Sequence, residues 1–386
     1  MARELKENSR QSYRHLETFV PKLDEADSDM SNLRKEFHSL LGQLKFSDID
    51  INDEGELNEL YTLLSENYVE DGKFRMDYSH ELLRWALGPP GYRKQWHLGV
   101  RATVESKDKK GKLLAFIAAI PITVRVYSQT VKMVKIDFLC VHKGRRSQKL
   151  TPGLIKEITR RVNLAGISQA AFTAGITEPK PIAQCRNWHR SLNPRKLINV
   201  GFSNLKPRMT LPLAVKFYNL PDTPKTPGLI PMETKHVNAA FKLLTKHLTQ
   251  YDLVPVYTKE EFAHFFLPRP KVVYTYVVEK DGKVTDFISF YSLPWSIMNH
   301  PKYKMLHCAY SFYNVATSVN LVELVNDGLI LAKKEGFDDF VATDFMENKG
   351  FLEKLRFDMA SANLLYHLCN CKCPDMKPQR VGLVLQ

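Results

Sequence analysis

No apolar stretch in this chain is long enough to cross a bilayer. The longest, "LLAFIAAIPITV" at 113–124, has 12 residues and contains a proline, whereas a membrane helix needs about 20. It reads as a buried strand. The first thirty residues are polar and lack the apolar core of a secretory signal, so a cytoplasmic location is expected. Cysteine is sparse, with Cys140, Cys185, Cys308, Cys369, Cys371 and Cys373 the only six. Without a secretion signal these read as reduced thiols, not a disulfide framework. Cys369, Cys371 and Cys373 alternate, so on one strand they would share a face. Structural zinc pairs sit roughly two to four residues apart, and His367 is the only close fourth ligand, so no metal is expected. Acids are outnumbered, 42 against 55 Lys and Arg, and the net charge of +13 points to anionic partners. Zinc-finger spacing, an RRM-like aromatic signature and a recognisable helix-turn-helix are all missing, which argues against nucleic acid.

What is present is the composition of a globular protein, 44% apolar and 25% charged. At 386 residues the chain exceeds one ordinary core, so two domains or fused halves are expected. Residues 1–36 are polar and weakly periodic, and read as an arm draped over the body or partly disordered. Leu57, Leu60, Leu63 and Leu64 have helical spacing, and "YSHELLRWAL" is a second amphipathic stretch stopped by "GPPG". "QWHLGVRATV" and "GKLLAFIAAIPITVRVY" read as strands. A coarse repeat follows. "GKLLAFIAAIP" at 111–121 is echoed by "GKVTDFISFYSLP" at 282–294, Leu63-Leu64 by Leu243-Leu244, and the helix running to Gly166 by one ending at Gly336. Three elements in one order imply two related halves, each a helix, antiparallel strands, another helix and closing strands. The proline-rich "TPKTPGLIPM" at 223–232 is the expected link or second-half entry.

The stretch "VKIDFLCVHKGRRSQKLTPGLIKEITRR", 134–161, carries an apolar strand into a basic loop and then an amphipathic helix. A helix N-terminus favours an anion, and Lys143, Arg145, Arg146 and Lys149 around it would build a phosphate cradle. A solvated cationic loop is the alternative.

From about residue 50 to its C-terminal end the sequence resembles the glycylpeptide N-tetradecanoyltransferase (N-myristoyltransferase) family. "ELYTLLSENYVED", "FLCVHK", "LIKEITRRVNL", "WHRSLNPRKLI", "TDFISFYSLP", "IMNHP", "AYSFYNV", "MENKGFLEKL" and "VGLVLQ" carry the resemblance. It implies an α+β fold: two fused acetyltransferase-like (GNAT-like) halves with pseudo-two-fold symmetry around a saddle-shaped mixed sheet. The expected division is an arm at 1–36, an acyl-CoA-binding half at 37–210 and a peptide-binding half at 211–386. The implied reaction moves a tetradecanoyl group from myristoyl-CoA to the α-amine of an N-terminal glycine, with no permanently bound cofactor. The implied oxyanion donors are the amides of Phe138 and Leu139. Thr173 helps position the amine, and the terminal carboxylate of Gln386 is the base. CoA is expected against Tyr13, Arg14, His15 and Leu16 of the arm, Leu139, Cys140 and Val141, and the "RSKR"-type loop Arg146, Ser147, Gln148, Lys149, Leu150 and Thr151. The peptide is expected against Tyr68, Asp71, Phe74, Tyr78, Asp137, Asn187, His189, Ser311 and Ser361. A monomer in peripheral contact with membranes or ribosomes is the expected state.

Several positions depart from the family's pattern. "KIDFLC" stands for "EINFLC", so Lys135 replaces an acid and Asp137 an asparagine that helps hold the amine. "RFDMASA" stands for the glycine-rich "KFGxGDG", and Gln148 for a lysine. Asn187 replaces a tyrosine, Cys369 and Cys371 replace aromatics, and His15 and Leu16 replace Phe and Trp. A paralogue that binds acyl-CoA or glycine-initiated N-termini without efficient turnover is therefore the alternative reading.

Overall fold

Leu57, Leu60, Leu63 and Leu64 form the buried stripe of α1 (Glu54–Asn67), which Asp53 caps by accepting a hydrogen bond from the Glu56 amide at 2.8 Å. The structure is a computed structural model and describes residues 43–103, 110–175, 177 and 179–385. The arm at 1–36, with Tyr13, Arg14, His15 and Leu16, lies outside the described residues, as does Gln386. Helix α2 (His80–Leu87) is capped by Ser79 and stops at Gly88, ahead of Pro89-Pro90. The further helices are α3 (Leu150–Asn163), α4 (Pro194–Asn199), α5 (Leu211–Phe217), α6 (Val237–Leu248), α7 (Lys259–Phe266), α8 (Leu321–Lys334) and α9 (Lys349–Leu352). Among the described residues, no helix is long and apolar enough to cross a membrane.

The first group of strands is β1 (Leu44–Asp48), β2 (Glu70–Asp71), β3 (Phe74–Met76), β4 (His97–Ala102), β5 (Leu113–Val126), β6 (Gln129–Val141), β7 (Ala170–Ala174) and β8 (Ala183–Ser191). The second is β9 (Leu229–Pro231), β10 (Leu253–Pro255), β11 (Val273–Lys280), β12 (Lys283–Ser292), β13 (Trp295–Ile297), β14 (Met305–Leu306), β15 (Cys308–Val315), β16 (Asp339–Thr343) and β17 (Asp358–Cys369). The main sheet runs β1-β4-β5-β6-β7-β17-β8-β16-β15-β12-β11-β9, with β10 paired to β5. A smaller sheet runs β14-β13-β3-β2.

That order makes the repeat visible. In the first half β4, β5 and β6 are antiparallel and β6 pairs with β7 in parallel; in the second, β11, β12 and β15 are antiparallel and β15 pairs with β16 in parallel. Helices α1 and α3 pack on β5 and β6, while α6 and α8 pack on β12 and β15. At the centre the halves exchange strands. β8 lies between β16 and β17, and β17 returns to pair with β7. The 223–232 link is pinned at its start, since the Lys225 and Thr226 amides donate to buried Asp327 of α8 at 2.9 and 2.7 Å. It then adds β9 to the sheet edge. Gly228 makes this approach possible: its φ is +75°, and a Cβ would lie 2.4 Å from the Glu279 carbonyl oxygen.

The cysteines do not share a strand face. Cys369 ends β17, and Asn370, with φ of 52°, turns the chain before Cys371 and Cys373.

Candidate active site

Strand β6 is interrupted where the sequence reads "DFLC". The β5–β6 register runs Ala118 opposite Asp137 and then Phe116 opposite Cys140, so Phe138 and Leu139 together oppose Ile117. Such a bulge takes peptide groups out of the ladder. Phe138 has φ of 55°, a strained conformation for an aromatic residue. Packing holds it there: its ring is buried, 5.2 Å from Tyr78 and 5.9 Å from Tyr68. The pairing of β6 with β7 covers only Val134 and Lys135 opposite Ala170 and Ala171, so beyond this point the strands part. Into the gap opens a cleft of ≈ 1120 Å³, part of it open to solvent. The β6 bulge, Phe172 and Thr173 of β7, and Ile155, Ile158 and Val162 of α3 line it.

A second bulge sits at the corresponding place in the other half. Ile288 opposes Asn314 and Phe290 opposes Ser311, so Phe312 and Tyr313 face Ser289. Here the Ser289 hydroxyl accepts from the Tyr313 amide and donates to the Tyr313 carbonyl, both at 3.0 Å. In the first half the residue that faces the bulge is Ile117, which has no hydroxyl to offer. One bulge is plugged by a side chain; the other opens on the cleft.

Cys140, beside the open bulge, is unsuited to nucleophilic attack. Burial pushes its thiol up to about 12, against the pull of Arg146 and Lys143. Thr173 is half-buried on the cleft wall, opposite Tyr366 of β17. Leu139 lines the cleft, while Val141 and Thr151 are half-buried and Leu150 is buried.

Lys135 and Asp137, the two departures in "KIDFLC", find each other. Their side chains are 5% and 7% exposed and form an ion pair at 2.7 Å. Burial raises the Asp137 pKa, and Lys135 opposes that rise without cancelling it. The carboxylate expected to meet an incoming ammonium therefore already has a cation from its own strand. Two changes that look damaging singly are complementary as a pair.

The basic loop forms a 3₁₀ turn, Lys143–Gln148, leading into α3. Lys149 at the junction has φ of 52°, and its side chain does not cap the helix. Two of the expected cradle cations are engaged internally. Lys143 pairs with Glu70, and Arg146 donates to the Asn67 carbonyl at 2.8 Å, because the C-terminal end of α1 abuts the turn. Arg145, Ser147, Gln148 and Lys149 remain exposed.

The expected peptide residues fall into two groups. Tyr68 and Tyr78 pack on Phe138, with Tyr68 also on the cleft wall. Phe74 turns away into a buried cluster with Leu197 and Leu306, where it meets Phe202 edge-on at 5.3 Å. Phe202 in turn touches His189, whose Nδ1 lies 2.6 Å from buried Asp339. Asp71 is exposed at the β2–β3 turn, where Gly72 adopts φ of 58°. Buried Ser311 accepts from Asn314 Nδ2 at 3.0 Å. Asn187 accepts from Thr343 Oγ1 at 2.7 Å. Opposite Asn187 the β17 register jumps from Met359 to Asn363, with exposed Ser361 in the intervening stretch. Asp358, where the family pattern has glycine, has a structural use here: Lys206 pairs with it at 2.5 Å and Tyr218 Oη donates to it.

Sequence reasoning missed the residues that hold the chain's last described run. Val381, Leu383 and Val384 are buried, and the Gly382 and Leu383 carbonyls accept from Tyr313 and Tyr366 Oη, both at 2.9 Å. It also missed the α3 wall, although Ile155, Ile158 and Val162 show the helical period of a single face.

An apolar cleft that opens beside a break in the strand ladder suits the transfer of an acyl chain, and the molecule is an acyltransferase built from two related halves. The model of the myristoyl-CoA:protein N-myristoyltransferase N-terminal domain matches residues 24–185, and that of the C-terminal domain residues 199–384. The chain belongs to this family. Glycylpeptide N-tetradecanoyltransferase 2 of Bos taurus is 51% identical over 396 aligned residues, covering 100% of this chain and 78% of the relative. The probable glycylpeptide N-tetradecanoyltransferase of Caenorhabditis elegans is 53% identical, over 92% of this chain and 79% of the relative. A crystal structure of Saccharomyces cerevisiae N-myristoyltransferase with bound myristoyl-CoA matches with a TM-score of 0.89 at 37% identity, over 94% of each chain.

Proposed function

We propose that this chain transfers a tetradecanoyl group from myristoyl-CoA to the α-amine of an N-terminal glycine. The observation that carries the reading is the open bulge at Phe138–Leu139 on the wall of the apolar cleft. In the reaction the amine attacks the thioester carbonyl, the C–S bond breaks, an amide forms and CoA leaves as its thiol. The oxyanion that develops on the carbonyl is met by the Phe138 and Leu139 N–H groups on the wall of the apolar cleft. An α-ammonium has a pKa of about 7.7–8.0, so a carboxylate is a sufficient base near neutrality. The Gln386 carboxylate takes that role, with Thr173 accepting from or donating to the amine as the proton leaves. Arg146, Ser147 and Lys149 hold CoA phosphate at the mouth of the cleft, and Tyr68 and Tyr78 flank the incoming glycine. Six free cysteines suit a reducing cytoplasm, and the charge of +13 suits peripheral contact with membranes or ribosomes. The functional unit is the monomer.

The test is purified protein with labelled myristoyl-CoA and a panel of glycine-initiated peptides, each with a Gly→Ala control. Label on the glycine peptides alone is expected. Acyl-CoA binding without label on any peptide would make the chain a binder instead of an enzyme. Appending residues beyond Gln386 is expected to abolish transfer while sparing acyl-CoA binding, and normal transfer by the extended chain would remove the terminal carboxylate from the mechanism.

A further inference from the structure

Five large apolar side chains stand open to solvent among the described residues, and three of them fall on one face. Leu205, Leu213 and Met359 are 39%, 49% and 55% exposed. Single exposed leucines are ordinary, but a cluster marks a contact surface. The surrounding cations show that the three are neighbours. Leu213 shares a face of α5 with Phe217, one turn on. The Phe217 ring carries Arg356 at 4.6 Å and Lys206 at 5.4 Å. Lys206 follows Leu205 in the chain and pairs with Asp358, which precedes Met359. Arg186 of β8 reaches the same place, its guanidinium 3.2 Å from the Met359 sulfur. Segments 203–217 and 353–361 together hold five Lys or Arg against two acids, Glu353 and Asp358. Arg208, Lys216 and Arg356 are exposed, and none of the three apolar side chains lines the cleft.

We propose that this face, centred on α5 and the start of β17, attaches the protein to the surface of an anionic lipid bilayer. Leu205, Leu213 and Met359 enter the boundary between headgroups and acyl chains, while Arg208, Lys216 and Arg356 lie among the headgroups. An acidic polypeptide or an RNA would answer the cations but leave the apolar side chains in water. An uncharged apolar partner would leave the cations unanswered. The proposal gives a face to the peripheral membrane contact proposed above and rests on that reading, but not on acyl transfer. Each basic side chain near an anionic leaflet strengthens attachment about fivefold. Each half-exposed apolar side chain that becomes buried adds a factor of about the same size.

The experiment is co-flotation of the full chain with vesicles of phosphatidylcholine, with and without phosphatidylserine. Attachment to the anionic vesicles and little to the neutral ones is expected. Arg208→Glu with Lys216→Glu is expected to weaken attachment by at least about tenfold, and Leu213→Ser with Met359→Ser by about tenfold. Lys242→Glu with Lys246→Glu is the control, because it changes the net charge equally on exposed positions of α6. That helix packs in one core with Phe287 of β12, whereas Phe357, beside the proposed face, packs with Ile288 on the other side of the strand. The control is expected to weaken attachment much less. Hydrogen exchange on the unsubstituted chain gives a readout independent of any variant's folding, and anionic vesicles are expected to protect 203–217 and 353–361. An equal loss in the control, no loss in the apolar pair, or protection confined to other segments would each overturn this face while leaving membrane contact in place. No attachment to either vesicle would overturn the face and the membrane contact together. Pelleting with ribosomes that the same variants abolish, without attachment to vesicles, would give the face another partner and overturn the proposal. Myristate transfer, measured separately, decides only the catalytic reading.

Discussion

Lys135 and Asp137 show how two unfavourable choices become tolerable together. Each is buried, and neither has water to stabilise its charge, so the ion pair at 2.7 Å decides the outcome. Asp137→Asn alone removes the carboxylate that pairs with Lys135 at 2.7 Å and is expected to lower unfolding stability by roughly 3 kcal/mol. Lys135→Met with Asp137→Asn is expected to recover most of it. Denaturant unfolding of both single variants and the double variant measures the coupling, and additive losses would show that the two charges do not cooperate. His189 gives a pH-dependent counterpart. Burial works against its charged form, but the Asp339 carboxylate outweighs it and raises the pKa above the ordinary histidine value. The folded state therefore binds this proton more tightly than the unfolded chain. Its contribution is complete below the unfolded value of about 6.5 and fades as pH rises through the folded value. The stability deficit of His189→Gln is expected to be greatest in mild acid and to shrink towards alkaline pH. Unfolding curves across that range would show a constant deficit if the pair carried no linked proton.

At the scale of elements, the two bulges provide an internal control. They occupy corresponding places in strands β6 and β15, yet Ser289 seals one, while Ile117, with no polar atom, faces the other. Ile117→Ser is expected to place a hydroxyl opposite the open bulge and lower kcat by about 100-fold, the usual effect of losing an oxyanion donor. Ser289→Ala is expected to cost stability instead, through an unsatisfied buried amide, by about 1–3 kcal/mol. Single-turnover transfer and thermal unfolding of the two variants separate these outcomes. Full activity in Ile117→Ser would mean that the Phe138–Leu139 amides are not the donors. The 3₁₀ turn is a second case in which neighbours decide a role. Lys143 is neutralised by Glu70, so Arg146→Ala with Lys149→Ala is expected to weaken acyl-CoA binding by at least about tenfold, and Lys143→Ala by much less. Equal losses in a titration would show that the Glu70 pair does not spend the Lys143 charge.

Across the whole molecule, strand exchange makes the halves interdependent. β8 leaves the first half to lie between β16 and β17, and β17 supplies the neighbour of β7. A fragment ending at residue 210 would expose both edges of β8 and one edge of β7, in strands built to be covered. It is expected to aggregate or remain unfolded, whereas the full chain should unfold in one calorimetric transition. Two resolved transitions would show that each half is stable alone. The exchange also bears on the site, because Thr173 is held in register by Tyr366 from the other half, whose hydroxyl secures the Leu383 carbonyl.

The sequence alone determined whatever depends on local spacing. The leucines of α1, the Gly88 stop of α2, the strand-to-helix passage through the basic loop and the two-half repeat follow from periodicity, capping and turn chemistry, which act over a few residues. The family motifs pointed to Phe138, Leu139 and Thr173 for the same reason, since they are contiguous strings. Only the tertiary structure decided the rest. Nothing local pairs Lys135 with Asp137 in a dry site, turns Phe74 away from Tyr78, occupies Lys143 with Glu70 or separates an open bulge from a plugged one. Nothing local makes Cys369 line a cleft whose wall is a helix more than 200 residues earlier. These outcomes depend on which surfaces meet once the sheet has closed, and on how much water the meeting excludes.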